Sequence, residues 1–184
     1  MAQSELTRRV FVGAMTALGL SATDDGWVDL FDGRSLNGWR PGENKNSWKV
    51  VEGQLAAEGP RSHLFYTGPV NGAVFRNFEL ELEVLTRPAC QSAVYFHTVY
   101  QERDVPNKGY GIQIRNTAAG ERARTGSLGG LRYVYKQFVP DGQWFKIHAA
   151  VRGGNVQIRL NGMLVVDYTE TVPPVIPEIG IAHV

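Results

Sequence analysis

Phe78-Glu79-Leu80-Glu81-Leu82-Glu83-Val84 alternates apolar and acidic residues without a break. Side chains change face at every residue of an extended strand, so Phe78, Leu80, Leu82 and Val84 must share a core-facing side and the three glutamates the other. The same period recurs downstream. In Ala93-Val94-Tyr95-Phe96-His97, Val94 and Phe96 form one side, and Ala93, Tyr95 and His97 the other. In Tyr110-Gly111-Ile112-Gln113-Ile114-Arg115 the apolar side is Tyr110, Ile112 and Ile114, leaving Gly111, Gln113 and Arg115 opposite. Residues 144–151, 156–160 and 163–167 read as three more strands joined by tight hairpins. Asn161-Gly162 supplies the positive φ angles of a two-residue turn, and Gly153-Gly154-Asn155 a slightly longer one.

No long amphipathic helix is visible, and turn signals recur roughly every 8–12 residues, which predicts an all-β sandwich or jelly roll. With 184 residues, 43% of them hydrophobic, one domain can bury an adequate core. The formal net charge of +1 gives no electrostatic footprint for nucleic acid or an anionic membrane face. Cys90 is the only cysteine, and no Cys/His cluster has zinc-ligand spacing, so packing alone must hold the fold. The irregular stretches 40–47, 100–108 and 117–130 are expected to line a site.

Thr7-Arg8-Arg9-Val10-Phe11 precedes a mildly apolar run to Leu20 and then Ser21-Ala22-Thr23-Asp24-Asp25. Paired arginines before a short apolar segment resemble a twin-arginine export leader, here residues 1–22, with residues 23–184 as one domain in a periplasmic or extracellular compartment. The competing reading is an amphipathic N-terminal helix. Leader removal would leave acidic and basic residues in balance and no membrane association.

The ordered motifs are distinctive together. They are Leu30-Phe31-Asp32-Gly33-Arg34-Ser35-Leu36-Asn37-Gly38-Trp39, Trp48-Lys49-Val50-Val51-Glu52-Gly53-Gln54-Leu55, Phe78-Glu79-Leu80, Ser92-Ala93-Val94-Tyr95-Phe96, Gly109-Tyr110-Gly111-Ile112-Gln113-Ile114, Thr125-Gly126-Ser127-Leu128 and the hairpins of residues 144–167. Over about residues 26–170 this order resembles the 3-keto-disaccharide hydrolase domain family, also described as 3-keto-glucoside lyases and 3-keto-2-hydroxy-glucal hydratases. The resemblance implies a concanavalin- or laminin-G-like jelly-roll sandwich of two antiparallel sheets, with a carbohydrate on its concave face.

It also implies a chemistry. A ketone at C3 acidifies the C2 proton; removing that proton expels the C1 substituent by β-elimination, and water then adds to the enone. Such a site needs a base at C2, donors or a cation for the enolate oxygen, and an acid for the leaving group. On the strand face that the resemblance makes concave, His97 is a candidate base or metal ligand. Tyr95 and Gln113 would hydrogen-bond the sugar. Glu81 and Glu83 could act as base or bind a cation, against the plainer reading of a solvated convex face. Arg115, Asn116, Arg132 and Lys136 flank the long loop and could bind substrate or polarise the ketone, although exposed cations are usually just solvated. Trp27, Trp39, Trp48 and Trp144 are assigned to packing. A divalent metal ion is left open, with no ligand spacing to support it.

Two departures matter. Family members commonly carry an acidic residue after the Tyr110 position, where this chain has Gly111. They also continue into a Leu-Gln-x-His-like segment and a closing Arg-Asn-Ile strand, for which His183 is the nearest stand-in here; without that strand a sandwich is expected to show an unpaired edge. Three functions compete: an exported enzyme on 3-keto-glycosides, a non-catalytic carbohydrate-binding module, and an interaction domain with a vestigial sugar site. Gly111 favours the module, and His97 with the acidic strand favours the enzyme. Oligomeric state, sugar and linkage are left open.

Overall fold

The structure is a computed structural model that describes residues 26–117, 120 and 122–171, together with the backbone of residues 4–13. Its strands are β1 (Ser4–Gly13), β2 (Trp39–Pro41), β3 (Trp48–Val51), β4 (Gln54–Ala57), β5 (Leu64–Tyr66), β6 (Phe78–Thr86), β7 (Ser92–Phe96), β8 (Tyr110–Ile114), β9 (Phe145–Arg152), β10 (Asn155–Leu160) and β11 (Met163–Thr169). Seven form one sheet in the order β11-β10-β9-β6-β1-β4-β3, and every pairing in it is antiparallel. The architecture is the all-β sandwich that the alternation predicts. Its second layer is less continuous than two full sheets, because β2–β5 and β7–β8 are separate two-stranded ladders. The chain after residue 125 extends the second of these: Gln113 N–H donates to Ser127 O and Gly129 N–H to Gly111 O, each at 2.9 Å.

Strand β6 shows why the layers close. Phe78, Leu80, Leu82 and Val84 are all buried and join Phe96, Ile112, Ile114 and Leu128 in one core. Each such side chain contributes about 1.5–3 kcal/mol by leaving water. The opposite face of β6 is less acidic than its sequence suggests. Glu81 pairs with Lys146 at 2.5 Å, and Glu79 meets both His148 Nε2, at 2.9 Å, and Arg152. These partners sit on β9, whose own alternation places cations beside the glutamates.

Both late hairpins are two-residue turns. Asn161 and Gly162 have φ of 48° and 84° as expected, whereas Asn155 pairs with Arg152 and so belongs to β10 instead of lengthening the first turn. Ser4–Gly13 is neither free nor helical: it pairs with β6 on one side and, over Ser4 to Leu6, with β4 on the other. The register with β6 shifts between Thr7 and Phe11, so Arg8-Arg9 falls at the irregularity. Residues 1–3 and 14–22, the rest of the expected leader, and His183 lie outside the described residues.

Candidate functional site

A cavity of about 500 Å³ opens beside β4, β5 and the β7–β8 ladder. Phe31, Leu55, Phe65, Leu80 and Leu82 form its buried floor, while His63, Tyr95, Gln113 and Arg115 are half-buried around it. Alternation explains half of this set. Tyr95 lies opposite Gly111 and Ala93 opposite Gln113 in the ladder, so Tyr95 and Gln113 stand on the same side, away from Phe96, Ile112 and Ile114.

Gly111 is what lets Tyr95 lie where it does. A Cβ at residue 111 would sit 2.9 Å from Tyr95 Cε1, closer than side chains tolerate. The carboxylate expected here from the family pattern is thus replaced by a tyrosine ring crossing the vacated position. Burial pushes the Tyr95 phenol above its ordinary pKa, partly offset by the charge of Arg115.

His63 enters from β5's leading edge, and its ring meets Tyr95 edge-on with centroids 5.5 Å apart. Burial first, and then the Arg61 charge, hold its imidazole below the ordinary value, so the ring is neutral near pH 7. The segment carrying it is pinned. Ser47 Oγ donates to Pro60 O at 2.9 Å, Asn44 Nδ2 to Arg61 O at 2.7 Å, and Arg61 bridges Glu43 and Asp104 at 2.8 and 2.7 Å. Asp104 belongs to the loop expected to line a site. That loop is wound on the Gln101 amide, which donates to the carbonyls of Arg103, Asp104 and Val105, and it brings Val105 and Pro106 to the cavity.

The other proposed residues are placed elsewhere. His97 does not share the Tyr95 face: β7 ends at Phe96, and His97 takes φ of 53°. Its ring packs against Phe78, Phe96 and Tyr110, and its Nε2 lies 3.1 Å from Arg76 O. Glu81 and Glu83 point away from the cavity, because Leu80 and Leu82 of the same strand line it. Asn116 is buried as a clamp, donating to Thr86 Oγ1 at 2.7 Å and to Pro140 O at 3.1 Å. Arg132 covers the Tyr168 ring and Lys136 the Phe138 ring, both exposed and outside the cavity lining. The tryptophans divide: Trp39 and Trp48 line the cavity, whereas Trp144 is exposed and not packed inside.

His63 was missed because the strand it precedes has three residues, too few for alternation to show a face. Its only sequence signal is a histidine just after the Gly59-Pro60 turn. The Leu30–Trp39 motif proves to be a braced turn: Asp32 accepts bonds from Arg34 N, Ser35 N and Ser35 Oγ, each at 2.8 Å, and Trp39 Nε1 donates to Leu30 O at 3.0 Å. Those bonds hold the Asp32 carboxyl below its ordinary pKa. Among the described residues, no three His, Cys, Asp or Glu side chains converge to hold a metal ion.

A family model described as the 3-keto-alpha-glucoside-1,2-lyase-like domain matches residues 26–177. The chain belongs to that family. This 3-keto-alpha-glucoside-1,2-lyase-like domain is also 28% identical over 89 residues to a protein of Bacteroides thetaiotaomicron named 3-keto-disaccharide hydrolase, the match covering 45% of this chain. It spans about a third, 31%, of that curated relative's length. Two crystal structures of Parabacteroides distasonis proteins described as glycosyl hydrolases share the fold. One superposes with a TM-score of 0.67 at 18% identity, covering 82% of this chain and 76% of the other; the second gives 0.59 at 21%, covering 74% and 68%.

Proposed function

We propose that this carbohydrate-active domain cleaves 3-keto-glycosides by elimination followed by hydration, with His63 as base and Tyr95 as acid. The observation that carries the reading is the meeting of these two rings in one cavity with pKa values displaced in opposite directions. An imidazole held neutral can accept a proton at pH 7, and a phenol held protonated can give one. The name of the curated relative supplies the substrate class.

In the proposed sequence, His63 takes the C2 proton and the C2 electron pair delocalises onto the C3 ketone oxygen. Gln113 and Arg115 donate to that oxygen as its charge develops. The C1–O bond then breaks, and Tyr95 protonates the departing oxygen. Water adds at C1, returning its proton to Tyr95, while the His63 proton returns to C2. The net change is hydrolysis, with both side chains restored. Export through the residue 1–22 leader is proposed alongside; N-terminal sequencing of secreted protein, with a cut after Ala22 expected, tests it.

The second reading, a binding module, rests on Gly111 in place of a carboxylate. Incubation with a 3-keto-glucoside separates the two. Release of the C1 substituent supports the enzyme, and saturable binding without release supports the module.

A further inference from the structure

We infer that the inner part of the cavity takes an apolar aromatic leaving group, so that the preferred substrate is a 3-keto-glycoside of an aryl-bearing alcohol and not of a second sugar. This rests on the reaction proposed above. The groups able to bind a sugar, His63, Tyr95, Gln113 and Arg115, are half-buried, whereas Phe31, Phe65, Leu55 and Leu80 beyond them are 4%, 3%, 4% and 1% exposed. The least exposed part of the lining is therefore mostly apolar, and the groups able to bind a sugar lie in its more exposed part.

Hydrogen-bond accounting sharpens the point. Three polar side chains beside the floor already have partners: Trp39 Nε1 donates to Leu30 O, Trp48 Nε1 to Ser62 Oγ, and Ser47 Oγ to Pro60 O. Thr98 differs. It is 2% exposed, it lines the cavity, and its hydroxyl has no hydrogen-bond partner among the described residues. One orphan hydroxyl can serve one polar substituent. A hexose leaving group would bring several hydroxyls, each leaving water without regaining a bond. An aromatic ring has no such cost and packs well against Phe65 and the tryptophan edges. At about 500 Å³ the cavity has room for a ring beyond the keto-sugar.

The test compares kcat/KM of the full chain for benzyl 3-keto-glucoside and for the 3-keto form of a glucose disaccharide. Benzyl alkoxide is a poorer leaving group than a sugar oxygen, so a preference for it cannot come from intrinsic reactivity. The expected ratio is at least ~10 in favour of the benzyl compound, mostly in KM, as an apolar subsite gives. Ala57→Phe, which narrows the cavity from β4, should bring the ratio to about 3 or less, with a thermal scan confirming that the variant is folded. Equal turnover, or preference for the disaccharide, overturns the inference and leaves the reaction standing. Turnover of neither overturns the reaction itself. Tryptophan fluorescence titration with benzyl glucoside and the plain disaccharide then decides the occupant: tighter binding of the benzyl compound supports it, and equal binding overturns it.

Discussion

Two histidines illustrate how a single backbone angle decides a side chain's role. His97 continues the Tyr95 face only if the strand continues, and the left-handed turn at that residue sends its ring among Phe78, Phe96 and Tyr110. His63, invisible to alternation, takes the place beside Tyr95. We predict that His63→Ala lowers kcat/KM on a 3-keto-glucoside by about 10²–10⁴ fold, whereas His97→Ala lowers the thermal midpoint and changes kcat/KM by less than about threefold. Burial holds both imidazoles below their ordinary value, so the unfolded chain binds more protons than the folded one as pH falls through that value. Stability should therefore be full above about pH 6.5 and decline below it, and His97→Phe should flatten the decline; denaturant midpoints across pH check this. Gly111 gives a third prediction at this scale. Gly111→Ala forces the Tyr95 ring from its wall, and kcat/KM should fall about tenfold with little change in unfolding midpoint.

At the level of strands, β6 to β10 were legible because each is five residues or longer and alternates, and β11, which opens on four apolar residues in a row, because the Asn161-Gly162 turn marks its start. Strands β2 to β5 have only three or four residues each, too few to establish a period from sequence. That is why Tyr95 and Gln113 could be assigned to one face from the sequence, while the wall opposite them, with His63, could not. β1 is a different case. Its sequence has the charge layout of a leader, yet its backbone lies between β6 and β4, and an address and a strand can be written in the same residues. Deleting residues 1–13, a loss that the proposed cut after Ala22 would also cause in the mature chain, unpairs the facing edges of β6 and β4. The thermal midpoint should drop by on the order of 10 °C, and light scattering should show concentration-dependent association. An unchanged midpoint and a monodisperse product would remove β1 from the sheet's stability.

Over the whole molecule, the layout divides labour between faces. The outer face of β6 and β9 carries cross-strand ion pairs of Glu79 and Glu81, and Glu83 lies on that same face, turned from the cavity. The opposite side of β6 lines a cavity whose proposed acid–base groups, His63 and Tyr95, come from the residue before β5 and from β7. Sequence periodicity could show that Glu81 and Leu82 face apart, but not which side a second layer would enclose as a site. The family match and the solved structures give the fold, while the substrate class and the residues proposed to act on it are our reading of the relative's name and of the cavity lining. The account's central claim is that a neutral His63 removes a proton from C2 of a 3-keto-sugar. NMR of a 3-keto-glucoside treated with the protein in D2O tests it most directly. Deuterium should appear at C2 of the product with the wild-type chain, and both exchange and cleavage should be lost with His63→Gln. Cleavage without C2 deuterium, or exchange undiminished in that variant, would contradict it.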